Sequence, residues 1–243
     1  MIQNAKATWK LSMRSSAVRA LWMLTGLGVL AGLSPSIFDP EPTLEHRLQR
    51  LWASLLIGGA AVAVYVPVLR WEQTTQSNAL APRLLQAGFL RRYVLGVWGA
   101  ATLMSCLPMA TVVGAVVLVH PHSSAAAAGL HSLAWGAAAV SFSAAAALAL
   151  STALSKIPVL VTLAAMWIFA ALSGGGPEPS TSALPGPDRL SIILPPLRLF
   201  TISSTGPADG GGNPFTWLSL AIAATSVGAG LAVAVGIVRF RWR

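Results

Sequence analysis

Charge is what this chain has least of. Asp, Glu, Lys and Arg make up 9% of its 243 residues, and 7 of them are acidic, against roughly 25% charge in an ordinary globular protein. A deficit of that size excludes a surface built mainly to face water. Cysteine is scarcer still: Cys106 stands alone. No disulfide can form within the chain, and an isolated thiol in apolar sequence reads as a small hydrophobic residue. No Gly-x-x-x-x-Gly-Lys segment occurs either, which excludes a phosphate-cradling loop of that type.

The apolar runs lack His, Asp and Glu beside their serines Ser105, Ser141, Ser143 and Ser151. A serine nucleophile needs a base within reach, so the chain is not expected to be an enzyme. These hydroxyls read as partners for backbone carbonyls or neighbouring helices. The same runs offer no group for a coupling proton or sodium ion at membrane depth. Arg19, Arg50 and His131 come nearest, each at an expected boundary. Energy for any transport is therefore expected from outside the chain.

What the chain does have is long hydrophobic stretches. Apolar residues reach 55% and mean hydropathy is +0.68. Six runs stand out, at 17–36, 49–69, 94–119, 131–154, 157–173 and 215–238. Each is close to the roughly 20 residues that carry an α-helix across a hydrocarbon core. The expected fold is an all-α integral membrane protein, one transmembrane domain over 1–243 with no room for a separate soluble unit. Residues 1–8 are mostly polar and no small-residue cleavage motif follows, so the first run is expected to stay as a helix.

The net charge of +9 is sorted by segment. With the N-terminus inside, the inner segments carry Lys6, Lys10, Arg14, Arg19, Arg70, Arg83, Arg91, Arg92, Lys156, Arg239, Arg241 and Arg243, opposed only by Glu72. The outer segments carry Arg47, Arg50, Arg189 and Arg198 against Asp39, Glu41, Glu45, Glu178, Asp188 and Asp209. This positive-inside bias orients both termini into the cytoplasm. Its spread over every inner segment argues against a nucleic-acid patch. An Ala-, Gly-, Pro- and Arg-rich composition points to the cytoplasmic membrane of a bacterium.

Between the runs, residues 8–16 read as a helix at the inner surface, with Trp9 and Met13 toward lipid and Lys10 and Arg14 beside them. Gly28-x-x-x-Gly32 is a spacing that permits close helix approach. Pro35, Pro40 and Pro42 fill the first outer loop. Trp52, Trp71, Trp135, Trp217 and Trp242 fall at run ends and read as an aromatic belt, whereas Trp22, Trp98 and Trp167 read as packing. Residues 70–93 form the one substantial inner loop, polar first, then with Leu80, Leu84, Leu85 and Phe89 at helical spacing. Pro158 opens the fifth run after a tight turn.

The outer segment 174–213 has an apolar middle, 189–203, split by Pro195-Pro196. Each half is too short to span, so a re-entrant hairpin is expected before the last run. His46, His120, His122 and His131 all map outside. Zinc or copper is conceivable there, but without a completing Cys or carboxylate surface histidines are the simpler reading, and no metal is expected.

Taken in order, Glu72, Thr75, Leu80, Pro82, Arg91-Arg92 and Gly96, with six runs, an inner-surface helix and a late outer hairpin, resemble the permease subunit of an ABC-2 (type V) ABC transporter. The Gly that usually precedes the Thr is missing, and Val97 replaces a frequent Lys. The resemblance implies a dimer with a second permease, identical or paralogous. It also implies a cytoplasmic ATP-binding cassette subunit that holds ATP and Mg, with no cofactor on this chain. Glu72, Thr75, Leu80, Pro82, Arg83, Phe89, Arg91 and Arg92 would dock that subunit as a coupling loop, and Ile193, Pro195, Pro196 and Leu197 would gate exit. The apolar runs favour a hydrophobic or amphipathic cargo such as a drug, peptide antibiotic or lipid. Two alternatives are a substrate-capture subunit of a vitamin importer and a membrane immunity or assembly protein that transports nothing.

Overall fold

The computed structural model describes residues 2–33, 44–77, 86–119, 124–173 and 215–241. Among them every regular element is an α-helix. These are α1 (Ile2–Arg14), α2 (Ser16–Leu33), α3 (Leu44–Thr75), α4 (Ala87–Val119), α5 (Ser124–Ala153), α6 (Lys156–Ser173) and α7 (Phe215–Arg241). A helix pairs its backbone N–H and C=O groups within one segment, which apolar surroundings require. Among the described residues three helical stretches can cross a bilayer by length and composition: Arg50–Thr75, Gly88–Ala115 and Gly136–Ala153. Shorter apolar stretches cover Ser16–Ala31, Lys156–Ile168 and Val227–Val238.

Small polar residues make the breaks. The Ser15 N–H bonds the Ser12 carbonyl at 3.0 Å, tightening the last turn of α1, and the Ser15 carbonyl accepts from Arg19 N–H at 3.1 Å to start α2. Ser155 plays the second part before α6, its carbonyl accepting from Val159 at 3.3 Å. Pro158 sits in the first turn of α6, where its missing N–H costs no helical bond. Pro67 and Pro108 lie inside α3 and α4, each removing one bond to the carbonyl four residues back.

The helices alternate in direction. Gly58 of α3 lies against Thr25 of α2, and Gly28 faces Ser54, so α2 and α3 run antiparallel. Tyr93 meets Arg70 near the start of α4, while Gly59 meets Ser105 and Met109 further along it. The Trp98 indole N–H bonds the Ser141 carbonyl at 3.1 Å, and Gly136 touches Met109 and Trp52, so α5 opposes α4. Gly230 of α7 lies beside Ala145, and Val238 clusters with Trp71, Tyr93 and Leu148. Thus α7 runs with α5.

Helices α3 and α5 are central. The first touches α2, α4, α5 and α6, the second α3, α4, α6 and α7. Trp52, Leu56, Val62, Met104, Met109, Ala139 and Ala144 form the main core. Fully buried alanines on α5 keep its neighbours close, as small residues do where helices pack in apolar surroundings. Outward, α2 and α6 present Met23, Leu24, Leu27, Leu30, Ile157, Val161 and Ile168, all strongly exposed. Water would penalise such a surface, whereas lipid or a partner helix would not.

Several sequence-based boundaries shift. Helix α1 begins at Ile2, six residues before the expected start. Its buried side carries Thr8 and Ser12, while Leu11 and Met13 are exposed. The helix packs chiefly along α4, and short side chains permit that close approach. Helix α5 starts at Ser124 rather than 131 because the alanine run there favours helix strongly. Trp52 and Trp71 are buried in packed clusters instead of standing in a belt. Their rings fill space between crossing helices, while the side chains of Trp135, Trp217 and Trp242 lie outside the described residues. The expected loop 70–93 is shorter, since α3 continues through Thr75 and α4 begins at Ala87. The hairpin expected at 174–213 and the loop residues 78–85 also lie outside the described residues.

Candidate functional site

The chemistry of the bundle gathers where α3 ends. Helix α3 stays regular through its polar final turns because Thr74 and Thr75 satisfy carbonyls one turn back. Thr74 Oγ1 donates to the Arg70 carbonyl at 2.7 Å, and Thr75 Oγ1 lies 3.0 Å from the carbonyls of Trp71 and Glu72. Arg70 itself is buried at 8% exposure. One guanidinium nitrogen donates to Gln73 Oε1 at 3.0 Å, and its Nε has no hydrogen-bond partner among the described residues.

Helix α4 supplies the second wall. Tyr93, buried at 4%, donates from Oη to the Arg70 carbonyl at 2.9 Å and stands 2.8 Å from Thr74 Oγ1. Phe89 stacks one turn earlier, with ring centroids 6.3 Å apart, and Trp71 approaches Tyr93 at the same distance but tilted by 55°. Leu90, Val94, Val97, Leu148 and Val238 complete this cluster, so α3, α4, α5 and α7 meet in it.

Helix α6 supplies the third wall. Lys156, its first residue, places Nζ 3.3 Å from Glu72 Oε2 and 5.5 Å from the centre of the Tyr65 ring. Both charged side chains keep about a third of their surface exposed, so the pair is screened by solvent. The ring contact adds a cation–π attraction. The short turn after α5 is thereby pinned to the end of α3.

Of the residues expected to form the coupling loop, Glu72 and Thr75 lie on the last turn of α3, and Phe89, Arg91 and Arg92 on the first turns of α4. Leu80, Pro82 and Arg83 fall outside the described residues, as do Ile193, Pro195, Pro196 and Leu197. Arg91 and Arg92 are exposed. Sequence reasoning missed Arg70, Thr74, Tyr93, Lys156 and Tyr65. A signal existed: the chain has 2 tyrosines, and both belong to this site. Glu72 is also the only acidic residue expected inside, and Lys156 the only charge in the α5–α6 turn.

Arg19 lies toward the same end, because Thr25 of α2 already sits level with Gly58 and α2 runs back toward Arg70. Arg239 and Arg241 continue α7 past Val238 to that end as well. The opposite end holds Glu45, Arg47 and Arg50 at the start of α3. Among the described residues no three His, Cys, Asp or Glu come together as a metal site would require. What the arrangement does is mechanical: it ties three helix ends and a short turn into one joint. Set beside protein-family models, curated proteins and solved structures, the chain matches none.

Proposed function

We propose that this chain crosses the bacterial cytoplasmic membrane six times, both termini inside, and is the permease subunit of an ATP-driven exporter of ABC-2 type. In this reading the basic end of the bundle faces the cytoplasm. The alternating helix directions and the collection of Lys and Arg at one end support that orientation. The cargo is hydrophobic or amphipathic, a drug, peptide antibiotic or lipid. ATP and Mg bind a separate cytoplasmic cassette subunit. A second permease, identical or paralogous, covers part of the apolar outer faces of α2 and α6, and 174–213 with Pro195-Pro196 forms the re-entrant exit gate.

The observation that carries this reading is the joint. The segment between α3 and α4 is flanked on both sides by helix ends fixed to each other and to α6 through Arg70, Thr74, Tyr93, Glu72 and Lys156. A push on that segment reaches three helices at once, which is what coupling an external ATPase to a bundle demands.

The test replaces residues 78–86 with a Gly/Ser linker of equal length. Leu90 and Tyr93 remain, so the joint and membrane insertion are retained. Transport, and stimulation of a cassette ATPase that co-purifies with the wild-type chain, are expected to be lost. A linker variant that still transports and still stimulates the ATPase overturns the assignment.

A further inference from the structure

Away from the joint, α4 and α7 leave an open-sided cleft of about 380 Å³ at the basic end. Val94 and Leu95 of α4 and Leu231, Val235 and Gly236 of α7 wall it, and Arg91 is its one charged lining residue. Val94 and Val235 also pack into the cluster around Trp71 and Tyr93, so the cleft has a firm back wall. On α7 a Cβ at Gly236 would meet nothing within 4 Å. The α7 side of the cleft is therefore open at that position.

The chemistry of this lining is that of an amphiphile. An apolar trough along two helices accepts hydrocarbon, and a guanidinium at its end accepts an oxyanion with two parallel N–H donors. Glu72, the acid described at this end, is engaged by Lys156. Arg92 follows directly on α4, so the charge beside Arg91 is complementary to an anion. We propose that the cleft binds one anionic phospholipid of the inner leaflet, an acyl chain along Leu95, Leu231 and Val235 and the phosphate on Arg91. The proposal rests on the bilayer placement but not on the exporter reading.

The experiment is native mass spectrometry of the full chain purified in detergent, with added phosphatidylglycerol or phosphatidylcholine of identical acyl chains. The wild type retains one phosphatidylglycerol and prefers it by about tenfold, a scale set by one charge-assisted contact. Arg91→Gln binds both lipids alike, whereas Arg92→Gln keeps the preference. Gly236→Leu binds neither lipid, and Ala232→Leu, entering the same space, repeats that loss if the first variant fails to fold. Equal binding of the two lipids by the wild type, an unchanged preference in Arg91→Gln, or full binding in a folded leucine variant overturns the proposal. Failure here would leave the linker experiment on 78–86 untouched.

Discussion

Thr74 and Tyr93 hold their hydroxyl oxygens 2.8 Å apart, and the Arg70 carbonyl lies 2.7 Å from the first and 2.9 Å from the second. Both hydroxyls are within donating reach of the carbonyl, and either can instead give its single proton to the other. This small triangle ties the end of α3 to the beginning of α4 across 19 residues of sequence. It is buried, so water does not replace a lost member cheaply.

Tyr93→Phe removes one of those protons and leaves Thr74 free to donate to the Arg70 carbonyl. The expected loss is about 1 kcal/mol, the net value of one such bond. Tyr93→Ala also removes the ring that Phe89 and Trp71 pack against, and a cavity of that kind costs about 3–5 kcal/mol. Denaturant titration in detergent micelles separates the two variants. Equal losses would mean that the hydroxyl triangle carries the stability and the ring does not.

Gly58 marks a close approach between α2 and α3. A Cβ there would overlap the Thr25 side chain, whose hydroxyl donates to the Leu21 carbonyl at 2.8 Å. Gly58→Ala therefore pushes the two helices apart, with an overpacking cost of about 1–3 kcal/mol. Thr25→Gly in the same chain removes the obstacle and recovers most of the loss. Thermal melts of the single and double variants check the swap, and no recovery in the double variant would place the strain elsewhere.

The Glu72–Lys156 pair keeps about a third of its side-chain surface in solvent, so its share of stability is small. Glu72→Gln and Lys156→Met each cost less than about 1 kcal/mol, and the coupling between them in a double-mutant cycle shrinks as salt is added. The exchange Glu72→Lys with Lys156→Glu restores attraction. A coupling that ignores ionic strength would show that the contact is buried in the working assembly.

Hydropathy located the helices well, because an uninterrupted apolar stretch has few other stable forms in lipid. Helix ends were less legible. Residues 70–75 are polar enough to read as loop, yet Thr74 and Thr75 bond backward into α3 and keep it helical. Alanines 125–128 are neither polar nor strongly apolar, so periodicity gave no sign that α5 begins there. The buried face of α1 gave no signal in the sequence, because Thr8 and Ser12 are selected by closeness to α4 and not by hydrophobicity. Pairings such as Tyr93 with Arg70 depend on how helices far apart in sequence lie side by side, which no local pattern encodes.

The orientation of the joint underlies the whole account, and thiol accessibility tests it directly. In a Cys106→Ala background, Gln76→Cys and Ser155→Cys each place a thiol at the basic end, where both positions are exposed. A membrane-impermeant maleimide is expected to label them in inverted vesicles and not in right-side-out ones. Labelling in right-side-out vesicles would put the α3–α4 junction outside the cell, beyond the reach of any cytoplasmic ATPase, and would contradict the proposed function.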